Sequence, residues 1–328
     1  MTSVENELKA VIFDWAGVTV DYGSRAPTEV FVEIFRRHGI DITSAEARGP
    51  MGLAKRDHIA AIAALPRIAA QWRALHAYEP TDQDVQAMYE ESLPLQKEKL
   101  ACGGSEVIPG VPEAIGRLRQ LGLKIGSTTG YTRELMDVVA PIAARGGYSP
   151  DVIVCSNEVP AGRPAPWMNI RAAELLGIDS MTSVVVVDDT PIGIQAGRNA
   201  GAWTVAISQS GNELGLSFNE VAALTAIDLD IRLNEISSGF FAIGAHLVIR
   251  SVAELPDRLT ELAGLGFSPV FSEHQQGTEF LGLNVQGESI HLSLGATHVG
   301  ASAQERDGGK IRTSLTAFQQ PLHRRLEF

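Results

Sequence analysis

Val11-Ile-Phe-Asp-Trp-Ala-Gly-Val18 is the stretch of this chain that decides its fold. Its first residues have the composition of a fully buried strand, and the carboxylate of Asp14 stands where that strand would end. In open α/β sheets, ligands bind outside the carboxyl ends of the parallel strands. The stretch therefore predicts a parallel sheet with Asp14 at its ligand-binding edge.

Two later runs repeat this pattern of apolar residues followed by polar ones. Leu123-Lys-Ile-Gly-Ser-Thr-Thr-Gly130 ends in hydroxyls, and Ser183-Val-Val-Val-Val-Asp-Asp-Thr190 ends in a pair of acids. Any one run alone is most simply an ordinary buried strand with a polar end. Together they would place an acid, hydroxyls and paired acids at one edge of a sheet, which indicates an active site.

The order of the elements predicts an α/β fold, a doubly wound parallel-sheet core with an inserted helical cap. Strand-like runs alternate with amphipathic helices between residues 100 and 207. Residues 22–99 instead show helical periodicity without a convincing strand. We predict a core domain over 1–21 and 100–266, a helical cap domain over 22–99 and a C-terminal extension over 267–328.

Local signals predict several further elements along the chain. Proline and glycine mark the ends of a helix over 26–39 in the cap and of another over 110–122 in the core. The apolar stretch 240–250 is predicted as the last strand, followed by a helix over 252–262. In the extension, weak alternation over 281–294 is compatible with a hairpin, and a loosely ordered tail is an equally good interpretation.

The composition is that of an acidic, soluble protein. The chain has 328 residues and a formal net charge of -12, which argues against nucleic-acid binding. It has no apolar run long enough to span a membrane and no signal-peptide pattern. Cys102 and Cys155 are too few for a disulfide framework and lack metal-ligand spacing. We therefore predict a cytoplasmic protein with neither nucleic-acid nor membrane partners.

The sequence of acid, hydroxyls and paired acids resembles the haloacid dehalogenase superfamily. Its members use an Asp at a strand tip as nucleophile, and the late acids bind Mg²⁺. Phosphatases and mutases of the superfamily carry a second Asp two residues after the nucleophile, which protonates an oxygen leaving group. Here that residue is Ala16. The substitution fits a carbon leaving group, which needs an electron sink instead.

Pro50-Met-Gly-Leu-Ala-Lys-Arg-Asp-His58 offers such a sink, because a lysine can form a Schiff base with a carbonyl. A lysine on a helix is more often a solvated surface charge. If this segment opens a helix, however, Met51, Lys55 and His58 share one face.

With this segment the chain resembles the phosphonoacetaldehyde hydrolases (phosphonatases), a branch of the superfamily. The resemblance ends near Phe267. The matching motifs are Phe13-Asp-Trp-Ala-Gly17 with Asp21-Tyr22-Gly23, Met51-Gly-Leu-Ala-Lys55 with His58, Gly126-Ser-Thr-Thr-Gly-Tyr131, Gly162-Arg-Pro-Ala-Pro-Trp-Met168, and Asp188-Asp-Thr with Asn199-Ala-Gly-Ala-Trp-Thr204.

The resemblance implies a catalytic role for two residues and a metal role for four. Asp14 would attack phosphorus to give an aspartyl phosphate, and Lys55 would form an imine with the substrate aldehyde. Mg²⁺ would be bound by Asp14, by the backbone carbonyl of Ala16 and by Asp189. Asp188 would act on the metal directly or through an intervening group.

The resemblance also implies a substrate pocket and a reaction. Thr129 and Arg163 would hold phosphonate oxygens. The residues that would line the substrate pocket or assist proton transfers around the imine are Met51, Gly52, His58 and Tyr131. The reaction is hydrolysis of the carbon–phosphorus bond of phosphonoacetaldehyde to acetaldehyde and phosphate, in the degradation of 2-aminoethylphosphonate.

The assembly that the resemblance implies is a homodimer formed through the cap. Trp72 and Tyr78 are candidate contacts, although core packing is an equally good account of either residue.

Two positions depart from the pattern of some relatives. Where those relatives have an Asp four residues after the metal-binding acid, this chain has Gly193. The superfamily also uses an adjacent pair of acids, so Asp189 is favoured over Asp188 as the direct ligand. Some relatives also carry a cysteine where this chain has Ser24, so a thiol there cannot be essential in this protein.

Three other interpretations remain open. A magnesium-dependent phosphatase or phosphomutase would share the fold and the metal, but Ala16 removes its expected acid. A dehalogenase would not need the paired metal-binding acids. An interaction protein without catalysis is compatible with the fold alone, but it leaves the joint presence of Asp14, Lys55, Arg163 and Asp189 unexplained.

Overall fold

The computed structural model describes residues 8–264 and four later strands, 278–283, 289–293, 299–307 and 310–317. The chain forms two compact units, Met1–Pro269 and Val270–Phe328. The N-terminal residues that bear on the signal-peptide prediction lie outside the described residues. Among the helices described, none is both long and apolar enough to cross a membrane.

A six-stranded parallel sheet, in the order β3-β2-β1-β4-β5-β6, forms the centre of the first unit. The central strand β1 pairs with β2 on one side and with β4 on the other, so that Phe13 lies opposite both Ser127 and Val187. The strands are β1 (Ala10–Phe13), β2 (Lys124–Thr129), β3 (Val152–Cys155), β4 (Val184–Asp188), β5 (Trp203–Ile207) and β6 (Leu247–Ile249). The strand order reverses beside β1, which is where such sheets bind ligands.

Of the helices between β1 and β2, the first five form the predicted cap. They share an apolar cluster of their own, which includes Phe31, Ile34 and Ile59. Trp72 belongs to that cluster and is 1% exposed, so core packing accounts for it, whereas Tyr78 is 46% exposed. The helices are α1 (Arg25–Arg37), α2 (Ser44–Arg48), α3 (Lys55–Ala63), α4 (Pro66–His76) and α5 (Asp82–Ala101).

The remaining helices cover the two faces of the sheet. Val11 and Phe13 pack into one apolar cluster and Ala10 and Ile12 into another, as the period of two in a strand requires. Because both faces are covered, the central strands are apolar throughout. The helices are α6 (Val111–Gln120), α7 (Arg133–Arg145), α8 (Trp167–Leu175), α9 (Pro191–Asn199), α10 (Phe218–Ala223), α11 (Ala226–Ala242) and α12 (Leu255–Gly264). The doubly wound core with an inserted helical cap is thus confirmed.

The prediction of a strand over 240–250 is wrong for its first half. Phe240 belongs to α11 and packs against Ile194 and Ala206, and the strand β6 begins only at Leu247. Gly244, with φ +87°, turns the chain between the two elements. An amphipathic helix end directly before a short strand produced one continuous apolar run in the sequence.

The second unit contains two antiparallel strand pairs. β7 (Thr278–Leu283) pairs with β8 (Ser289–Ser293), and β9 (Val299–Asp307) pairs with β10 (Lys310–Ala317). The first pair is the hairpin for which the alternation over 281–294 was one interpretation.

Candidate active site

The carboxyl ends of three adjacent strands bring the three sequence motifs together, as predicted. Asp14 directly follows β1, and its backbone N–H donates to the carbonyl of Val187 at 2.9 Å. Thr129 ends β2 and Asp188 ends β4. A small cavity lies at this edge of the sheet. Its lining includes the predicted residues Asp14, Ala16, Met51, Gly52, Lys55, Thr129, Tyr131, Arg163 and Asp189.

A buried arginine connects the proposed nucleophile with the acid pair. Nη2 of Arg163 lies 2.7 Å from Oδ1 of Asp14 and 3.2 Å from Oδ2 of Asp188. The same nitrogen donates to the hydroxyl of Thr128 at 2.9 Å. Burial raises the pKa of Asp14 to about 6, and the charge of Arg163 opposes this shift. The site therefore holds a carboxylate beside a permanent cation, which suits an anionic substrate.

Lys55 is brought to the site by the cap. It is the first residue of α3 and only 6% exposed, and its Nζ lies 4.7 Å from the ring centroid of Tyr131. The Nζ is also 5.6 Å from the ring centroid of Phe31. Burial lowers the pKa of Lys55 to about 8, with partial opposition from the charge of Asp14. An amine with this pKa reaches its neutral, nucleophilic form close to physiological pH.

The prediction that Met51 and His58 share a helix face with Lys55 is wrong for Met51. The helix α3 begins at Lys55, so Met51 precedes it and reaches the cavity from the preceding turn. His58 does lie on α3, but it is not among the described residues that line the cavity.

His58 instead lies in the interior of the cap. Its Nε2 is 2.7 Å from the carbonyl oxygen of Ala47, and its ring centroid is 3.9 Å from that of Phe31. Burial, together with the charge of Lys55, lowers the pKa of His58 to about 3. The imidazole is therefore neutral near pH 7. Its predicted part in proton transfer stays a prediction.

Each acid of the pair has one oxygen held by the protein. Oδ1 of Asp188 accepts the backbone N–H of Thr190 at 3.0 Å and its hydroxyl at 2.7 Å, while Oδ2 faces Arg163. Oδ2 of Asp189 accepts the backbone N–H of Asn212 at 2.7 Å. Oδ1 of Asp189 is buried and has no hydrogen-bond partner among the described residues. Burial, followed by the charges of Asp14 and Asp188, raises the pKa of Asp189 well above its usual value.

These oxygens fit a hard divalent cation. A buried carboxylate oxygen without a partner is costly, and Mg²⁺ binds one or two carboxylates together with other oxygen ligands. Within the described part of the chain, no group of three His, Cys, Asp or Glu side chains already converges on a metal position. Oδ2 of Asp188 also lacks a hydrogen-bond partner among the described residues, but it is paired with the charge of Arg163 at 3.2 Å, so Asp189 is favoured as the acid whose oxygen is available to a metal.

Glycine at position 193 is explained by the space around the acid pair. A Cβ added to Gly193 would overlap the carboxyl group of Asp188. A side chain at position 193 is therefore incompatible with Asp188 where it stands. The departure from relatives that carry an Asp at this position thus has a steric basis in the adjacent acid pair.

The cavity also contains residues that the sequence analysis did not assign to it. They are Ser24, Pro27, Leu53, Gly130 and Thr190. The sequence does contain a helix N-cap signal at Thr190, because a threonine followed by Pro191 is typical of a helix start. In the structure, the hydroxyl of Thr190 caps α9 by accepting the N–H of Gly193 at 3.1 Å.

Two glycines allow the cap to approach the core closely beside the cavity. Gly52 has φ +98°, and a Cβ there would lie 2.6 Å from the hydroxyl oxygen of Thr190 in the core. A Cβ on Gly130 of the core would lie 2.8 Å from the carbonyl oxygen of Leu53 in the cap. Both distances are too short for any residue other than glycine without a local shift.

Comparison with known proteins agrees with this architecture. Residues 8–201 match the family model of haloacid dehalogenase-like hydrolases. The phosphonoacetaldehyde hydrolase of Bacillus cereus is 47% identical over 249 residues, which cover 76% of this chain and 94% of that protein. The chain belongs to the phosphonoacetaldehyde hydrolase family.

Two further proteins are similar to this chain. A bifunctional phosphonoacetaldehyde hydrolase/aminoethylphosphonate transaminase of Clostridioides difficile is 48% identical over 256 residues, which cover 78% of this chain and 40% of that protein. The chain thus spans less than half of the bifunctional relative. A crystal structure of a phosphonoacetaldehyde hydrolase-like protein from Oleispira antarctica superposes with a TM-score of 0.77 at 37% identity, covering 78% of this chain and 93% of that one.

Proposed function

We propose that this chain hydrolyses the carbon–phosphorus bond of phosphonoacetaldehyde and releases acetaldehyde and phosphate. The observation that carries the proposal is the buried amine of Lys55 in the same cavity as Asp14 and Arg163. Phosphonoacetaldehyde has an aldehyde for the amine and a phosphonate for the carboxylate and the guanidinium. The names of the relatives described above support the same substrate.

The aldehyde is activated first. The neutral amine of Lys55 attacks the aldehyde carbon, and loss of water from the adduct gives a protonated imine. The low pKa of Lys55, near 8, supplies the neutral amine. The imine nitrogen now carries a positive charge two bonds from the carbon that is joined to phosphorus.

The carbon–phosphorus bond then breaks. A carboxylate oxygen of Asp14 forms a bond to phosphorus, and the electron pair of the carbon–phosphorus bond moves toward the imine nitrogen. The products are an aspartyl phosphate on Asp14 and a neutral enamine on Lys55. Ala16 carries no acid because no oxygen leaving group needs a proton.

Two hydrolyses restore the enzyme. A proton adds to the terminal carbon of the enamine, and water releases acetaldehyde from the resulting imine on Lys55. A second water releases phosphate from Asp14. The water lost in forming the imine balances one of these, so the net reaction consumes a single water.

Charge on the phosphonate is offset by residues of the core. Arg163 supplies a fixed charge and a fork of donors that match phosphonate oxygens. The hydroxyl oxygen of Thr129 accepts the backbone N–H of Tyr131 at 3.1 Å, which leaves its proton for the substrate. Met51, Gly52 and Tyr131 line the space for the aldehyde end.

Mg²⁺ is the cofactor of this proposal. Asp14, the backbone carbonyl of Ala16 and Asp189 are the groups that would hold it, while Asp188 keeps Arg163 in place. When bound, the ion supplies positive charge that offsets charge on the transferring phosphoryl group.

We further propose a place in 2-aminoethylphosphonate degradation and a cytoplasmic homodimer. The first is supported by the bifunctional relative, whose name joins this hydrolase to an aminoethylphosphonate transaminase. The dimer and the location stay proposals from the sequence, as does the division of the first unit into a core over 1–21 and 100–266 and a cap over 22–99.

The test is product release from purified protein with Mg²⁺. Phosphonoacetaldehyde should yield equal amounts of phosphate and acetaldehyde, and Asp14→Asn should yield neither. Ordinary phosphate esters should be hydrolysed far more slowly, because residue 16 offers no acid for an alkoxide leaving group. Rapid ester hydrolysis without phosphonoacetaldehyde cleavage would replace this proposal with a phosphatase.

A further inference from the structure

Arg48, the last residue of α2, joins the cap to two other parts of the chain. Its Nη1 donates to the carbonyl of Gly23 at 2.8 Å, where the chain passes from the core into the cap. Its Nη2 donates to the carbonyl of Gly215 at 3.0 Å. Gly215 belongs to the segment that follows β5, residues 208–217, which we call the β5 loop. One guanidinium therefore binds the cap entrance and the β5 loop at once.

The β5 loop carries a group that contacts Asp189, one of the acids proposed to hold the metal. The backbone N–H of Asn212 donates to Oδ2 of Asp189 at 2.7 Å. The side chain of the same residue is tied to Arg48, with Oδ1 of Asn212 3.3 Å from Nη1 and Nδ2 of Asn212 3.4 Å from the Arg48 carbonyl oxygen. Arg48 thus contacts Asn212, which in turn contacts Oδ2 of Asp189. The other oxygen of this carboxylate, Oδ1, has no hydrogen-bond partner among the described residues.

The backbone around Arg48 is shaped to receive the guanidinium. A Cβ on Gly215, which has φ +66°, would lie 2.7 Å from Cζ of Arg48. The N–H of Gly23 donates to the carbonyl of Ser210 at 2.7 Å, which brings the cap entrance against the β5 loop. A lysine could not reproduce this arrangement, because an ammonium is a compact point charge without a planar fork of donors.

We infer that Arg48 is a positioning residue that fastens the cap to the β5 loop and so holds Asn212 on Asp189. The effect on catalysis rests on the function proposed above. The effects on the loop and on metal affinity concern the protein without substrate. Groups that orient a metal ligand from behind typically change metal affinity by about 10–100-fold when they are removed.

The test compares Arg48→Ala and Arg48→Lys with the control Arg67→Ala in the full chain. Arg67 is also a cap arginine, with its Nε 2.7 Å from Oε1 of Glu46 and its Nη2 2.9 Å from the carbonyl of Asp41. These contacts stay within the cap, so the control removes a similar guanidinium without touching the β5 loop. Hydrogen exchange of residues 21–24 and 208–217 and Mg²⁺ affinity by calorimetry are measured without substrate.

Arg48→Ala should speed exchange in both segments and weaken Mg²⁺ binding by about tenfold or more. Arg48→Lys should fall between Arg48→Ala and the parent, and Arg67→Ala should match the parent. Millimolar guanidinium should restore part of the Mg²⁺ affinity of Arg48→Ala. Guanidinium otherwise weakens folded proteins, so a purely structural loss would not be restored.

Equal exchange and equal Mg²⁺ affinity in Arg48→Ala and Arg67→Ala would overturn the inference. Faster exchange with unchanged Mg²⁺ affinity would overturn it too, because the loop would then loosen without affecting Asp189. If Arg48→Ala does not fold, the measurements on Arg48→Lys are used instead. Exchange rates and Mg²⁺ affinity equal to those of the parent in Arg48→Lys would then overturn the inference. If the parent fails to cleave phosphonoacetaldehyde while the variants behave as expected, the proposed function fails and the inference on Arg48 stands.

Discussion

Asp14, Lys55 and Arg163 are buried charged residues, and each affects the ionisation of the others. Burial alone favours the neutral forms of Asp14 and Lys55. The opposite charge of Asp14 partly restores the charged form of Lys55, and Arg163 does the same for Asp14. Removing one member of such a group leaves an uncompensated buried charge, which typically costs about 3–5 kcal/mol.

The pKa of Lys55 gives a prediction for pH dependence. Only the neutral amine attacks an aldehyde, so the rate of imine formation should rise with pH and level off above about pH 8. If Lys55 were exposed, the rate would instead keep rising with pH until the pH approached the ordinary lysine pKa of 10.5. The initial rate of borohydride trapping with phosphonoacetaldehyde, measured across this range, provides the curve. A midpoint near the ordinary value would contradict the burial of this amine in solution.

Asp189 gives a second prediction at this scale. Asp189→Asn removes a negative charge from the carboxylate whose free oxygen faces the site, so the Mg²⁺ concentration needed for half-maximal activity should rise by at least about tenfold. Asp188→Asn should raise it less, since Asp188 is held by Thr190 and faces Arg163. Identical Mg²⁺ titrations for the parent and both variants would argue against this assignment.

Among the elements, the loop that precedes α3 decides how closely the cap approaches the core. Gly52→Ala adds a Cβ that meets Thr190 and strains a positive φ, so it should displace the loop and Lys55 with it. Displacement of about 1 Å can cost on the order of 100-fold in rate, so we expect a large fall in kcat/KM with little change in the thermal melt.

Gly116→Ala is the matched control for this substitution. Gly116 lies inside α6, and a Cβ there would meet nothing within 4 Å. It should keep parent activity and gain up to about 1 kcal/mol of stability, because alanine is the better helix former. Equal kcat/KM for Gly52→Ala and Gly116→Ala would show that the approach of the loop to Thr190 is irrelevant to catalysis.

The strand tips were predictable from the sequence and the start of α3 was not. Long apolar runs that end in acids or hydroxyls identify β1, β2 and β4 without help from tertiary structure. The N-cap of α3 is Ala54, which has no side chain to cap the helix, so no local signal marks Lys55 as its first residue. The hydrogen bonds of Arg48 to Gly23 and Gly215 join segments that are distant in the sequence. The periodicity of apolar residues does not predict contacts of this kind.

On the scale of the whole molecule, the proposed nucleophile and the proposed imine-forming amine come from different parts of the first unit. Asp14 follows the central strand of the sheet, whereas Lys55 belongs to helices that pack around their own apolar cluster. Burial between the cap and the core lowers the pKa of Lys55 to about 8, so the neutral amine is accessible close to physiological pH. In the proposed reaction, the insertion between β1 and β2 would therefore couple enclosure of the substrate to imine formation.

The second unit should be dispensable for this chemistry. Every residue assigned to the site precedes Trp203, and the last described helix of the first unit ends at Gly264. A chain that ends after Gly266 should fold, by circular dichroism and a cooperative melt, with kcat and KM within about twofold of the full chain, since surface changes away from a site have small effects. A folded truncated chain that no longer cleaves phosphonoacetaldehyde would contradict the proposed division.

Chemical trapping shows directly whether the amine of Lys55 forms an imine with the substrate. Borohydride is added to the protein with phosphonoacetaldehyde and Mg²⁺, and mass spectrometry of the digested protein locates the reduced adduct. We expect loss of activity and one adduct, on Lys55, which is absent from Lys55→Arg because a guanidinium cannot replace the amine. A trapped adduct on another lysine, or full phosphonatase activity in Lys55→Arg, would contradict this expectation.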